Sequence, residues 1–405
     1  MSETGVMAEK RQDEPGAVPS LGFASTASEA TLEPQAGGET PGRGRLPWID
    51  WLRGLAVVTM IPANMSATLL VEPHPFWFRV ASSFAAPLFV FLAGLMVGFG
   101  VRRKQQGLGH VVARGAWLLF WAGLQDILVW KIWPGTTMDV LYLLGVSLPV
   151  AWLAMRLPMA WRPALALGLF LLPHGLRAVW GYEREPSFYL LMAQRRPLDL
   201  LSEWRQVVYN WTVTGDFPLA PWLGFTLLGA WAADWRWGSA PRSFRDGRLP
   251  PVAGLLLVVG LGLWWAWPGE QYTRVGYSEL FYPAVIGYLL FATGLLGLLL
   301  VYAEEPASPG AVGAPRSPAS DDASYGLIGR WLCRLGEAAL LIYVAHGLLI
   351  KFVLTPWFGA LTMGPFLLLA AAFIGFFVGL TVWVLPPLRC RFRRPPLPLR
   401  MLLGG

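Results

Sequence analysis

The chain has 405 residues, of which 55% are hydrophobic and 14% charged, and it carries a formal charge of +7. A mean hydropathy of +0.48 excludes an ordinary soluble domain. Apolar stretches of roughly 20 residues, each long enough to cross a bilayer as a helix, recur from residue 48 to residue 385. Barrel strands would alternate over about 10 residues, so the composition predicts an all-α, polytopic integral membrane protein.

The first 45 residues are rich in Gly, Pro, Ser and Glu and contain no apolar core. Such a segment cannot bury enough apolar surface to fold, so we predict a disordered cytoplasmic tail at 1–45. A membrane domain then spans 46–388, and a basic cytoplasmic tail follows at 389–405. The apolar runs predict about ten transmembrane helices, near 49–71, 78–101, 110–132, 138–156, 162–181, 217–235, 250–267, 280–302, 337–355 and 362–385.

Two polar segments separate these helices. Residues 182–216 mix Arg with Glu and Asp and are predicted to form an external loop, whereas the Pro- and Ser-rich residues 304–334 are predicted to form a cytoplasmic linker. Most of the 32 Lys and Arg residues fall on one side of this topology. Because short cytoplasmic loops hold an excess of these residues, both termini are placed in the cytoplasm. Anionic lipid headgroups then account for the positive charge, and no nucleic-acid partner is needed.

The first predicted helix carries polar residues that hydrocarbon should exclude. Asp50 and Arg53 lie three residues apart, on one helical face at the cytoplasmic end. They form either an interfacial ion pair or a site at which the planar guanidinium of Arg53 binds a phosphate. Asn64 follows about 16 Å further along the helix. It either hydrogen-bonds a neighbouring helix or belongs to a site.

Three of the four histidines gather toward the predicted outer side. His74 lies in the short turn after the first helix, and His174 and His346 lie in the outer halves of the fifth and ninth helices. A lone histidine in a loop is usually without function. Histidine beside a carboxylate, however, is a common arrangement for a general base near neutral pH.

Carboxylates gather at the same ends of the helices: Asp126, Asp139, Asp216 and Glu279. Asp139 and Asp216 would open two helices and could simply cap them. The alternative is a polar vestibule that holds carboxylates and histidines together. Both cysteines fall on the predicted cytoplasmic side, where thiols stay reduced, and we predict neither a disulfide nor a metal site.

The stretch DWLRGLAVVTMIPANM resembles the opening helix of the transmembrane acyltransferases. Its ending in Asn64 is similar to the branch that contains heparan-alpha-glucosaminide N-acetyltransferase and its bacterial relatives, whereas the acyltransferase-3 branch typically has His there. Three further stretches resemble the same family in the same order: HPFWFRVASSFAAPLFVFLAGLMVGF, DFPLAPWLGFTLLGA and LGEAALLIYVAHGLLI. Together they cover nearly the whole membrane region.

The resemblance implies that an acetyl group passes from cytoplasmic acetyl-CoA to an amine or hydroxyl of an extracytoplasmic sugar or glycan. It implies that His74 is catalytic, as a nucleophile or a general base. On this basis we assign catalysis to His74, Asn64 and His346, acetyl-CoA binding to Arg53 and Asp50, and acceptor binding to Asp139, Asp216 and Trp222. The list of expected partners is acetyl-CoA, the glycan acceptor and the lipid bilayer.

A proton-coupled transporter of a small polar substrate is the main alternative, because intramembrane His and Asp and proline-interrupted helices are typical of carriers as well. No internal repeat is visible in the sequence, which favours the acyltransferase. The richness in Arg, Gly and Pro points to a bacterial protein, and hence to the cytoplasmic (inner) membrane. A homodimer is compatible with the sequence but not indicated by it.

Overall fold

The computed structural model describes residues 46–182, 192–193, 195–271, 273–304 and 325–391. Within these ranges the chain is helical and contains no strand, only two isolated β-bridges, which confirms the predicted all-α class. The predicted tails, 1–45 and 389–405, lie outside the described residues, apart from helical backbone at 389–391.

A helix lies at each of the ten predicted positions, and shorter helices lie between them. The helices are α1 Pro47–Leu69, α2 Phe76–Ser82, α3 Ala85–Lys104, α4 Leu108–Gln125, α5 Val140–Ala154, α6 Trp161–Trp180, α7 Asp199–Ser202, α8 Trp204–Tyr209, α9 Leu219–Trp237, α10 Leu249–Ala266, α11 Ile286–Ala303, α12 Leu327–Glu337, α13 Ala339–Leu349, α14 Thr355–Trp357, α15 Met363–Gly379 and α16 Leu385–Arg391. In the described ranges, π-helical segments extend α4, α8, α13 and α15: Asp126–Trp130, Asn210–Thr214, Ile350–Leu354 and Leu380–Val384.

Seven helical stretches in the described part of the chain are long and apolar enough to cross a membrane: Phe76–Lys104, Leu108–Trp130, Trp161–Trp180, Leu249–Ala266, Ile286–Ala303, Ala339–Trp357 and Met363–Leu388. A further helix, α5, is apolar but has only 15 residues. The count of ten membrane crossings and the cytoplasmic placement of both termini stay predictions.

The described boundaries differ from the predicted ones in two helices. The second predicted helix is divided at Ser83 and Phe84 into α2 and α3, and the eighth begins at Ile286 instead of residue 280. Leu280, Phe281, Tyr282 and Ala284 are buried although they are not helical. An apolar run of this length does not distinguish a helix from a packed, irregular segment.

Helix α12 begins inside the predicted linker 304–334, ends three residues beyond it at Glu337, and packs against α1. A Cβ on Gly336 would collide with the backbone of Asp50, and a Cβ on Gly54 would collide with the backbone of Leu332. These two glycines therefore allow backbone contact between the helices. The sequence pattern did not indicate α12 because its eleven residues include two arginines and do not form an apolar run of membrane length.

The buried apolar residues form two main clusters, and α1 contributes to both. Leu52 and Ala56 belong to the cluster around α3, α9 and α11, whereas Val57, Ile61 and Met65 belong to the cluster around α13 and α15. α1 thus lies between the two clusters, and Asn64 and Thr68 of its C-terminal half line a cavity.

A buried ion network joins α3, α6 and α9. The carboxylate of Asp234 accepts hydrogen bonds from Arg102 Nε at 2.5 Å and Arg102 Nη2 at 3.0 Å. Its Oδ2 also lies 2.7 Å from Nη1 of Arg162, a side chain that is 1% exposed. Arg162 donates its other hydrogen bonds to backbone carbonyls, so Asp234 supplies its countercharge.

We expect Asp234→Asn to destabilise the protein, because a buried arginine would keep its charge without a countercharge. The free energy of unfolding should fall by about 3 kcal/mol, measured by denaturation of the purified protein in detergent. Asp246→Asn is the matched control, since Asp246 is exposed in the loop after α9. Equal free energies of unfolding for Asp234→Asn and Asp246→Asn would show that the ion network around Asp234 does not contribute to stability.

Candidate active site

A cavity of about 370 Å³ lies between α1, the π-helical end of α4, α13 and the loops that precede α9 and α11. Its lining is largely apolar. The polar lining residues include Asn64, Gln125, Asp126, Thr137, Asp139, Asp216, Tyr277, Glu279, Tyr343, His346 and Lys351. The structure therefore brings together all four carboxylates of the predicted vestibule with one of its histidines.

Asn64 and His346 both line this cavity and are hydrogen-bonded to each other. Asn64 Nδ2 lies 2.7 Å from His346 Nε2, and His346 Nδ1 lies 3.0 Å from the carbonyl oxygen of Ile342. A carbonyl can only accept, so Nδ1 carries the proton and Nε2 accepts from the Asn64 amide. The Nε2 lone pair of His346 is therefore occupied, while the second amide N–H and the carbonyl of Asn64 remain for a ligand.

Two of the carboxylates are held by tyrosines. The Tyr142 hydroxyl donates to Asp126 Oδ2 at 2.6 Å, and the Tyr343 hydroxyl donates to Asp139 Oδ2 at 3.3 Å. Asp139 also accepts from the backbone N–H of Val140 at 2.6 Å. The capping role that the sequence left open for Asp139 is therefore present, and the same side chain lines the cavity.

The other two carboxylates belong to loops. Asp216 precedes α9, and its Oδ1 lies 3.9 Å from Nε of the buried Arg274. Within the described structure, Glu279 Oε2 is buried and has no hydrogen-bond partner. Desolvation raises the pKa of Glu279 to about 7, because burial disfavours the carboxylate. Glu279 can therefore donate a hydrogen bond near neutral pH.

His74 is buried, at 6% exposure, in a separate hydrogen-bond chain. The Ser66 hydroxyl donates to the Ala63 carbonyl at 2.6 Å, and the Ser278 hydroxyl donates to Ser66 Oγ at 2.7 Å. Ser278 Oγ, 2.6 Å from His74 Nδ1, must then accept from that nitrogen. Burial lowers the pKa of His74, so the neutral ring carries its proton on Nδ1 and leaves Nε2 basic.

His74 does not line the cavity in the described structure. It contacts Ser278, whose two sequence neighbours, Tyr277 and Glu279, both line the cavity, so the imidazole lies one residue behind the wall. Its Nε2 lies 3.4 Å from the carbonyl oxygen of Leu70, which is long for a hydrogen bond.

The remaining predicted site residues lie away from the cavity lining. Arg53 Nη1 and Asp50 Oδ1 form an ion pair at 3.2 Å near the start of α1. Trp222 is 1% exposed and packs against Phe217, Phe225 and Phe281, so its ring faces are covered by other aromatic rings. Trp222 is thus a core residue in this structure, with no surface for an acceptor.

The sequence pattern does not single out Gln125, Tyr343 or Lys351 as lining residues, or Ser278 as the partner of His74. Two of these residues nevertheless have a feature in the sequence that points to them. Only two lysines lie within the predicted helices, Lys131 at the end of one and Lys351 inside another, and Tyr343 lies three residues before His346 on the same helical face. Gln125 and Ser278 carry no such signal, because short polar side chains are common in membrane helices and loops.

The match to a known family covers residues 45–264, more than half of the chain, and the family is described as heparan-alpha-glucosaminide N-acetyltransferase, catalytic. This chain belongs to that family. A comparison with curated proteins returns no match. The predicted resemblance is confirmed, and the apolar helices together with this family make the chain an integral membrane protein of an acetyltransferase family.

The acetyltransferase family match contains Asn64, His74, Asp139 and Asp216 but ends before His346. The cavity is therefore completed by segments beyond the matched region. Among the described residues, no three His, Cys, Asp or Glu side chains come together in a way that could hold a metal ion.

We expect the stability of this acetyltransferase-family protein to depend on pH through Glu279. Its pKa is raised from 4.5 to about 7 on folding, so the folded state binds more protons between these values. The free energy of unfolding should therefore fall as pH rises from about 4.5 to 7, by on the order of 3 kcal/mol from this group. The free energy of unfolding, measured in detergent across this pH range, should decline less steeply in Glu279→Gln than in the wild type.

The control for this prediction is Glu270→Gln, which changes an exposed carboxylate of the same loop. It should keep the wild-type pH dependence. Identical pH profiles for wild type and Glu279→Gln would show that Glu279 titrates at its ordinary pKa.

Proposed function

We propose that the protein transfers an acetyl group from cytoplasmic acetyl-CoA to an amine or hydroxyl of an extracytoplasmic sugar or glycan, in a bacterial cytoplasmic membrane. The observation that carries the proposal is the Asn64–His346 pair, which lies in a carboxylate-rich cavity of a chain that belongs to an acetyltransferase family. Acetyl transfer needs an oxyanion donor, a base and an acceptor site, and side chains suited to each task lie in or next to this cavity.

The phosphates of acetyl-CoA are proposed to bind at Arg53. The positive charges of Arg53 on α1 and Arg114 on α4 repel each other. An anion between them would relieve their repulsion and could accept hydrogen bonds from both. Asp50 holds Arg53 through its ion pair and is proposed to orient it.

Asn64 is proposed to stabilise the oxyanion that forms when the thioester carbonyl is attacked. One N–H of its amide is used by His346, and the other can donate to the developing charge. His346 is then a positioning residue, because its Nε2 holds the amide of Asn64 and its Nδ1 is bound to the backbone.

His74 is proposed as the general base because its Nε2, unlike that of His346, is not engaged by a hydrogen-bond donor in the described structure. As the acceptor nitrogen or oxygen attacks the acetyl carbon, its proton passes to Nε2, the C–S bond breaks, and the CoA thiolate leaves. Asp139 and Asp216 are proposed to hold the acceptor through its hydroxyl or ammonium groups.

Replacement of His74 tests this assignment. We expect His74→Ala to lower acetyl-CoA turnover by about 100-fold or more, as loss of a general base does, and His346→Ala to cause a smaller loss. Purified protein is incubated with acetyl-labelled acetyl-CoA, and free CoA and protein-bound label are measured. His110→Ala changes an exposed histidine at the start of α4 and serves as the control.

The outcomes of this experiment separate the alternatives. Label on wild type but not on His74→Ala would indicate an acetyl-histidine intermediate in place of general-base catalysis. A larger loss in His346→Ala than in His74→Ala would move the base to His346. A folded wild type that neither binds nor turns over acetyl-CoA would contradict the proposal and favour the proton-coupled carrier.

Ser278→Ala tests whether Ser278 positions His74. Without Ser278 Oγ the Nδ1–H has no acceptor, which destabilises the imidazolium and lowers the pKa of His74. We expect turnover to fall by about 10-fold and the acid limb of the pH profile of kcat/KM to move to lower pH. A variant with reduced turnover but an unshifted acid limb would assign Ser278 a purely structural role. Ser202→Ala, in the exposed helix α7, is the control.

A further inference from the structure

Lys351 is a charged side chain inside a helical stretch that is apolar enough to cross a membrane. It lies twelve residues after the start and six before the end of Ala339–Trp357. A lysine near the centre of such a helix costs about 2.5–3.5 kcal/mol. Its side chain is exposed on the protein surface and also lines the cavity, and no carboxylate in the described structure pairs with its ammonium group. Among the described residues, the ammonium group of this exposed, cavity-lining lysine therefore has no carboxylate partner.

Four lining residues of the cavity are exposed: Thr68 near the end of α1, Trp130, Val275 in the loop before α11, and Lys351. Trp130 ends the π-helical segment of α4, and Lys351 lies in the π-helical segment of α13. The space between these two segments is called the gap. One turn earlier the two helices are close, since a Cβ on Gly347 would lie 3.6 Å from Gln125 Nε2. The gap therefore opens where both helices change to π geometry, a feature often found at functional sites.

The rims of this gap are apolar and exposed. Ile127 and Leu128 project from the α4 segment, and Phe352 and Val353 project from the α13 segment. Both segments belong to stretches that qualify as membrane spans. A hydrogen bond of 3.1 Å between the hydroxyls of Thr68 and Thr355 links α1 to α14 next to the gap. These exposed apolar rims are suited to contact with the acyl chains of the bilayer.

We infer that the acceptor is a membrane-embedded lipid with a phosphate in its headgroup, which enters the cavity sideways between α4 and α13. Its chains would lie along the rims at Leu128 and Phe352, its phosphate would pair with Lys351, and the sugar beyond the phosphate would reach Asp139 and Asn64. The acceptor role rests on the proposed acetyl transfer, whereas lipid binding at Lys351 does not.

The test measures lipid binding in the absence of acetyl-CoA. Full-length protein in detergent is titrated with phosphatidylglycerol, and bound lipid is counted by native mass spectrometry. We expect Lys351→Gln to weaken binding by about fivefold, the effect of one lysine on an anionic lipid, and Lys351→Arg to retain it. Lys131→Gln is the matched control, since Lys131 is exposed directly after α4 but does not line the cavity.

Two further ligands show which part of the lipid the protein recognises, the phosphate or the acyl chains. Glycerol 3-phosphate carries the phosphate without chains, and diacylglycerol carries the chains without phosphate, so each should bind more weakly than phosphatidylglycerol. Glycerol 3-phosphate binding as tightly as the lipid would overturn the inference in favour of a soluble anion. Equal affinities of Lys351→Gln and Lys131→Gln, or tight binding of diacylglycerol, would also overturn it. Lipid binding is measured without acetyl-CoA, so a failure of the proposed acetyl transfer would leave these binding results unchanged. A failure of lipid binding can therefore be distinguished from a failure of acetyl transfer.

Discussion

Hydrocarbon offers no hydrogen-bond partner, so each polar group within the helical domain has to be satisfied by the protein itself or by a ligand. The chain meets this constraint with short, local networks. Asp234 forms ion pairs with two arginines between three helices, and the carboxylates of Asp126 and Asp139 accept hydrogen bonds from tyrosines. Glu279 Oε2 is a buried atom without a hydrogen-bond partner in the described structure, and Glu279 lines the cavity.

The two histidines near the cavity both carry their proton on Nδ1, but they differ in whether a hydrogen-bond donor engages Nε2. His346 donates to a backbone carbonyl and accepts from Asn64, so both of its nitrogens are used. His74 donates into a chain of serine hydroxyls that ends at the Ala63 carbonyl, and its Nε2 has no donor. A residue with both nitrogens bound can orient a neighbour, whereas one with a free basic nitrogen can take a proton. This difference is the physical basis for dividing their roles.

The site is assembled from distant parts of the chain. α1 supplies Asn64, the turn before α2 supplies His74, and the segments after residue 264 supply Ser278, Glu279, His346 and Lys351. The family match ends before these later segments. Within them, Ser278 fixes the tautomer of His74, His346 holds the amide of Asn64, and Glu279 and Lys351 line the cavity. The chemistry proposed for the matched region therefore depends on residues outside it.

The sequence alone determined the helical class, the positions of the main helices, the family and the gathering of four carboxylates. These features follow from the spacing of apolar residues, the polar residues that interrupt it and the order of the motifs, all of which can be read along the chain. Only the tertiary structure decided that Asn64 meets His346, that His74 lies behind the cavity wall, and that Trp222 belongs to the core. The tertiary structure also decided that α12 packs on α1 and that Lys351 lines the cavity. These features are contacts between residues far apart in the chain, and local pattern holds no information on which helix faces meet.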